Sequence, residues 1–143
     1  DVRLNGLLAF YPVTDASFDN ASYEQFATGY FLHREGMKWF WDQYTTDPDE
    51  RANPYASPLR ASAEQLRGLP PTLVITGEAD VLRDEGEAFA AKLREAGGDV
   101  TSVRMGGIVH DFVMLDVLRD TNAAKAAMEL ATSRLRDWLG TSK

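Results

Sequence analysis

The chain has 143 residues, 15 Lys and Arg against 22 Asp and Glu for a formal charge of −7, and a hydrophobic content of 44%. That suffices for one buried core and falls short of two ordinary domains. An acidic balance without a basic run makes nucleic acid and anionic membrane surfaces poor partners. The longest apolar run, Leu7 to Tyr11, is far below the roughly 20 residues of a membrane span. With no cysteine there is neither a disulfide framework nor a thiolate metal site. A soluble protein is expected, with the cytoplasm only as the default compartment. The chain opens at Asp1 without Met and enters an apolar strand within six residues, the pattern expected of a piece cut from a longer chain.

Leu7 to Tyr11, stopped by Pro12, reads as a parallel strand covered on both faces, with a neighbour on each side. From Asp19 to Leu69 no convincing strand occurs. Tyr23, Phe26 and Tyr30 predict one helix, and Met37, Phe40, Trp41 and Tyr44 predict another. A segment this long between strands is expected to be a helical insertion or pocket-forming piece, with most of its aromatics read as ordinary core. Thr72 to Thr76, β-branched and bracketed by Pro70, Pro71 and Gly77, predicts a second buried strand. Leu82, Phe89, Leu93 and Ala96 then recur at helical spacing, with Asp84 as the expected N-cap and Gly97-Gly98 as the stop. Val100 to Met105 alternates and predicts a third strand nearer the sheet edge. Ala124, Met128, Ala131, Leu135 and Trp138 mark a closing amphipathic helix. The fold class is α/β, with parallel strands and flanking helices.

In such sheets ligands gather beyond the carboxyl ends of the strands. Asp80 follows the second predicted strand and His110 the third, thirty residues apart, so a right-handed crossover delivers an acid and an imidazole to one edge. An aspartate bonded to Nδ1 fixes the tautomer that leaves Nε2 free to take a proton. Spacing alone leaves His110 open between a catalytic base and an incidental loop residue. His33 has no comparable setting and reads as a solvated helix residue. The two histidines lie far apart and no His-Glu-x-x-His spacing occurs, so neither a metal nor a cofactor is implied. Asp84, Glu85 and Glu87 read as first-turn helix acids rather than as a glycosidase pair.

Three blocks carry a resemblance. Tyr11-Pro12-Val13-Thr14-Asp15, then Asn53-Pro54-Tyr55-Ala56-Ser57-Pro58-Leu59-Arg60, then Leu69 to Gly86 with its Gly77-Glu78-Ala79-Asp80-Val81-Leu82-Arg83-Asp84-Glu85 core, resemble in order and spacing the hormone-sensitive-lipase-like branch of the α/β-hydrolase esterases. The resemblance covers nearly the whole chain, 1–143, and corresponds to the family's last three strands. It implies that Asp80 is the triad acid and His110 the triad base, and that Asp84 is a helix-starting acid. Where the family often shows Gly after the base, this chain has Asp111. The resemblance also implies a small carboxylic ester as substrate, and the aromatic segment from Tyr23 to Tyr44 points to an apolar ester of short to medium chain. Phe26, Phe31, Val81 and Val109 are the expected substrate-binding residues.

Ser17, Ser22, Ser57, Ser62, Ser102, Ser133 and Ser142 all lack the flanking glycines of the family's Gly-x-Ser-x-Gly nucleophile elbow, and its His-Gly-Gly oxyanion segment is missing too. Three readings follow. The chain is the carboxyl-terminal half of a serine esterase, partnered by an upstream half and prone to self-association through an exposed strand edge. Or it is a stand-alone, non-catalytic α/β module that binds a small ligand or a partner. Or it is another doubly wound domain, such as a flavodoxin-like one.

Overall fold

The computed structural model describes residues 3–141; Asp1 and Ser142 lie outside them. A parallel sheet of order β1-β2-β3 is built from β1 (Leu7–Phe10), β2 (Thr72–Ala79) and β3 (Val100–Val109). Between β1 and β2 run the short helices α1 (Ala21–Gln25), α3 (Pro48–Ala52) and α4 (Ala63–Leu66) and the longer α2 (Arg34–Tyr44). Helix α5 (Arg83–Glu95) connects β2 to β3, and α6 (Asn122–Trp138) closes the chain.

The central strand β2 is buried because a helix covers each of its faces. Leu73 and Ile75 point into a core with Ile108, Phe112 and the α6 alanines Ala124, Ala127 and Ala131. On the opposite face Thr76 meets Gly86 of α5, where an added Cβ would lie 3.2 Å from the Thr76 methyl. Further along α5, Phe89 and Leu93 pack with Leu66 of α4. Each Leu, Ile or Phe side chain so removed from water contributes about 1.5–3 kcal/mol.

β1 stands at one edge of the sheet with β2 as its neighbour and its four residues half-buried, the exposed strand edge expected from the sequence. Several other expectations are corrected. The helix expected across Tyr23, Phe26 and Tyr30 stops at Gln25, with Phe26 as its C-cap and Gly29 in the left-handed region at φ 87°. Helix α5 starts at Arg83 with Leu82, not Asp84, as its N-cap. In α6 the buried stripe is Ala124, Ala127 and Ala131, whereas Met128 and Leu135 are exposed. Ala124 and Ala131 of the expected stripe lie in the core and Trp138 packs against it, with Ala127 beside them in place of Met128 and Leu135.

β3 does not end at Met105. Its register jumps from Gly77↔Met105 to Ala79↔Val109, so β3 bulges through Gly106 and Gly107, the latter at φ 68°, a conformation open to glycine. The Glu78 carboxylate accepts the Gly107 N–H at 2.6 Å and holds the bulge. Gly77 must lack a side chain, because a Cβ there would meet the carbonyl oxygens of Ile108 and Val109 at 3.2 Å.

Candidate active site

The bulge has a direct consequence at the carboxyl edge. With Ala79 paired to Val109, the next residues on the two strands are Asp80 and His110. Their side chains meet, with His110 Nδ1 2.7 Å from Asp80 Oδ2. The second carboxylate oxygen accepts the Leu82 N–H at 2.9 Å, so a fully buried acid has both oxygens engaged. That bond goes to the N–H of Leu82, the α5 N-cap residue, which offers no side-chain cap of its own, while the Asp84 N–H donates to Ser22 Oγ at 3.2 Å. The Asp84 carboxylate accepts the Ser22 N–H at 2.7 Å and ties α1 to the acid loop.

The imidazole is held from three sides. Asp80 takes Nδ1, and the Tyr11 ring packs at 4.5 Å between centroids. Asp111, in the left-handed region at φ 61°, brings a carboxylate oxygen to 3.4 Å from Nε2. Donating Nδ1–H to Asp80 leaves Nε2 as the ring atom that can take a proton, with the Asp111 carboxylate beside it.

Beside His110 opens a cavity of about 420 Å³ whose apolar wall includes Val13, Phe31, Leu32, Met37, Phe40 and Leu82. Of the expected substrate-binding residues, only Phe31 lines it. Phe26 and Val81 are buried in the cluster that also contains Met37 and Leu82, so they support the wall from behind. Val109 is the last β3 residue, half-buried, and is not among the lining side chains. His33 also reaches the cavity rim. It is not a residue within the helix but the N-cap of α2, its Nδ1 accepting the Gly36 N–H at 2.9 Å.

Sequence reasoning missed Glu85. A first-turn acid is normally solvated, yet Glu85 is only 3% exposed. Its Oε1 accepts the N–H groups of Thr14 at 2.6 Å and Asp15 at 3.1 Å. Burial pushes its carboxyl up to about 8, opposed by those two bonds. The adjacent Asp15 is held below the usual carboxylate range: burial pushes the other way but is outweighed by hydrogen bonds from Ser17 and Arg60, the latter at 2.7 Å. Among the described residues no cluster of three or more His, Asp or Glu could hold a metal ion. No helix there is long and apolar enough to cross a membrane.

A parallel α/β sheet that pairs an acid and an imidazole on its carboxyl edge is the layout of a hydrolase-type domain. The alpha/beta hydrolase fold family matches residues 1–114. A thermostable esterase from Pseudomonas putida ECU1011 superposes with a TM-score of 0.91 at 60% identity, over 92% of this chain and 41% of that one. One of two fungal esterases from Rhizomucor miehei superposes with a TM-score of 0.86 at 46% identity, over 94% and 41%. The ethyl acetate hydrolase of Pseudomonas putida is 38% identical across 105 residues, which is 73% of this chain and 32% of that protein. This chain belongs to the α/β-hydrolase fold family, and esterases match it over most of its length, in agreement with the resemblance to the hormone-sensitive-lipase-like branch. A flavodoxin-like domain is thereby excluded. The chain spans about 40% of the length of the curated relatives it matches.

Proposed function

We propose that this chain supplies the acid and the base of a serine carboxylesterase, and that the nucleophile and oxyanion donors come from an upstream part of the same fold. The observation that carries the reading is the 2.7 Å contact between Asp80 Oδ2 and His110 Nδ1 at the carboxyl edge, beside an apolar cavity.

Asp80 fixes the Nδ1–H tautomer and orients the ring. Nε2 then takes the proton of a serine hydroxyl as that oxygen attacks the ester carbonyl, and returns it to the departing alcohol. Water repeats the cycle on the acyl-enzyme. The buried, doubly bonded Asp80 stabilises the imidazolium formed in both half-reactions. Substrates are carboxylic esters of short to medium chain, a size in keeping with the cavity of about 420 Å³ and with a relative named for ethyl acetate hydrolysis. The helical segment 19–69 forms the pocket wall through Phe31, Met37 and Phe40.

The test is mutagenesis in the complete esterase. His110→Ala is expected to lower kcat by about 10³-fold or more, and Asp80→Asn nearly as much because the tautomer is lost. His33→Ala is expected to retain kcat within about threefold, since its ring caps α2 and takes no proton in the cycle. Full activity without His110 would refute the assignment.

A further inference from the structure

Glu85 joins two loops that the reaction needs in fixed relation. On one side it belongs to the first turn of α5, five residues beyond Asp80. On the other its carboxyl grips the segment that continues β1. It accepts the Thr14 and Asp15 N–H groups, while Thr14 Oγ1 donates back to the Glu85 carbonyl at 2.9 Å. That segment begins at Tyr11, whose backbone turns through φ 36° and whose ring lies against His110. It continues through Pro12, which packs on Gly86, to Val13 on the cavity wall. Asp15 and Tyr23 stand against the same carboxyl, and Arg60 neutralises Asp15 from outside.

We infer that Glu85 is a positioning residue, whose buried carboxyl oxygen acts as a two-amide acceptor that holds Tyr11 against His110 and Val13 against the substrate. The inference rests on the reading of Asp80 and His110 as acid and base. It differs from a mere core anchor in its chemistry: what matters is an acceptor oxygen at the right reach, not a negative charge. A glutamine preserves that oxygen and a shorter aspartate withdraws it by one methylene.

The experiment compares Glu85→Gln, Glu85→Asp and Glu85→Ala in the complete esterase, reading kcat, KM and the downfield proton resonance of the His110 Nδ1–H. Misplacing a catalytic group by about 1 Å costs on the order of 10²-fold in rate. Releasing one tether of the loop that backs it is expected to lower kcat about tenfold in Glu85→Asp and Glu85→Ala and to broaden the resonance. Glu85→Gln is expected to stay within about threefold of the parent, with the resonance sharp. If Glu85→Ala does not fold, the order of Gln above Asp still decides. Aspartate equal to or better than glutamine, or variants that change melting temperature alone, would overturn the inference. His110→Ala runs alongside: if it leaves hydrolysis intact, the acid–base reading has failed, whereas loss there with an unresponsive Glu85 series isolates the failure to Glu85.

Discussion

The buried Glu85 carboxyl makes stability depend on pH in a direction that is unusual for an acid. Its folded value is about 8 against an ordinary 4.5. Between those values the folded state keeps a proton that the unfolded chain has released. Stability therefore falls as pH rises through the window, by at most about 1.4 kcal/mol per unit and up to about 5 kcal/mol across it. Below about 4.5 both states are protonated, and above about 8 both are ionised, so the contribution is flat outside. The groups facing Glu85 sharpen the effect. Asp15, after β1, stays ionised throughout and repels a second charge, while burial raises the Tyr23 phenol far enough to keep it neutral. Asp80 stands nearby with its own partner, His110. Glu85→Gln removes this titration and keeps the acceptor oxygen. Urea titrations at about pH 5, 6.5 and 8, followed by the fluorescence of Trp41, which is buried in the cluster beside Tyr23, should show the parent losing stability relative to the variant at each step. A difference that is constant over this range would refute the reasoning.

Phe112 is fully buried between the sheet and α6 and packs edge-on against Tyr11 at 5.5 Å. Phe112→Ala is expected to cost about 3–5 kcal/mol in chemical denaturation. Phe31 is 58% exposed and borders the cavity, so Phe31→Ala should raise KM for an aryl ester about fivefold, near 1 kcal/mol of apolar contact, with kcat little changed. Glu78→Gln weakens the acceptor that holds the Gly107 bulge, and a kcat loss larger than the KM change is expected because the bulge sets the level of His110.

Much of the fold was legible from local chemistry. Thr72 to Thr76 is rich in β-branched residues between Pro71 and Gly77, Val100 to Met105 alternates, and the intervening Leu82, Phe89 and Leu93 recur at helical spacing. That order alone delivers Asp80 and His110 to one edge. What stayed hidden depends on contacts distant in sequence. Gly106-Gly107 reads as the end of a strand, and only the Glu78 carboxylate, 29 residues away, turns it into a bulge. Asp84 looks like a cap, but the helix starts before it and its carboxylate accepts the N–H of Ser22, 62 residues upstream. Phe26 and Val81 are indistinguishable from pocket residues by composition, because wall and core are made of the same side chains. Glu85 carries no local sign of burial, since its partners at Thr14 and Asp15 lie about 70 residues upstream.

The claim that this chain contributes acid and base, but not the nucleophile, is tested most directly by the rate of short-chain aryl ester hydrolysis with and without an upstream half bearing a Gly-x-Ser-x-Gly elbow. Alone, the 143-residue chain is expected to show no turnover above background and to self-associate along the outer edge of β1. Mixed with that half it should gain hydrolysis, and lose it again as His110→Ala. Hydrolysis by the chain unaided, or restored activity indifferent to His110, would contradict the account.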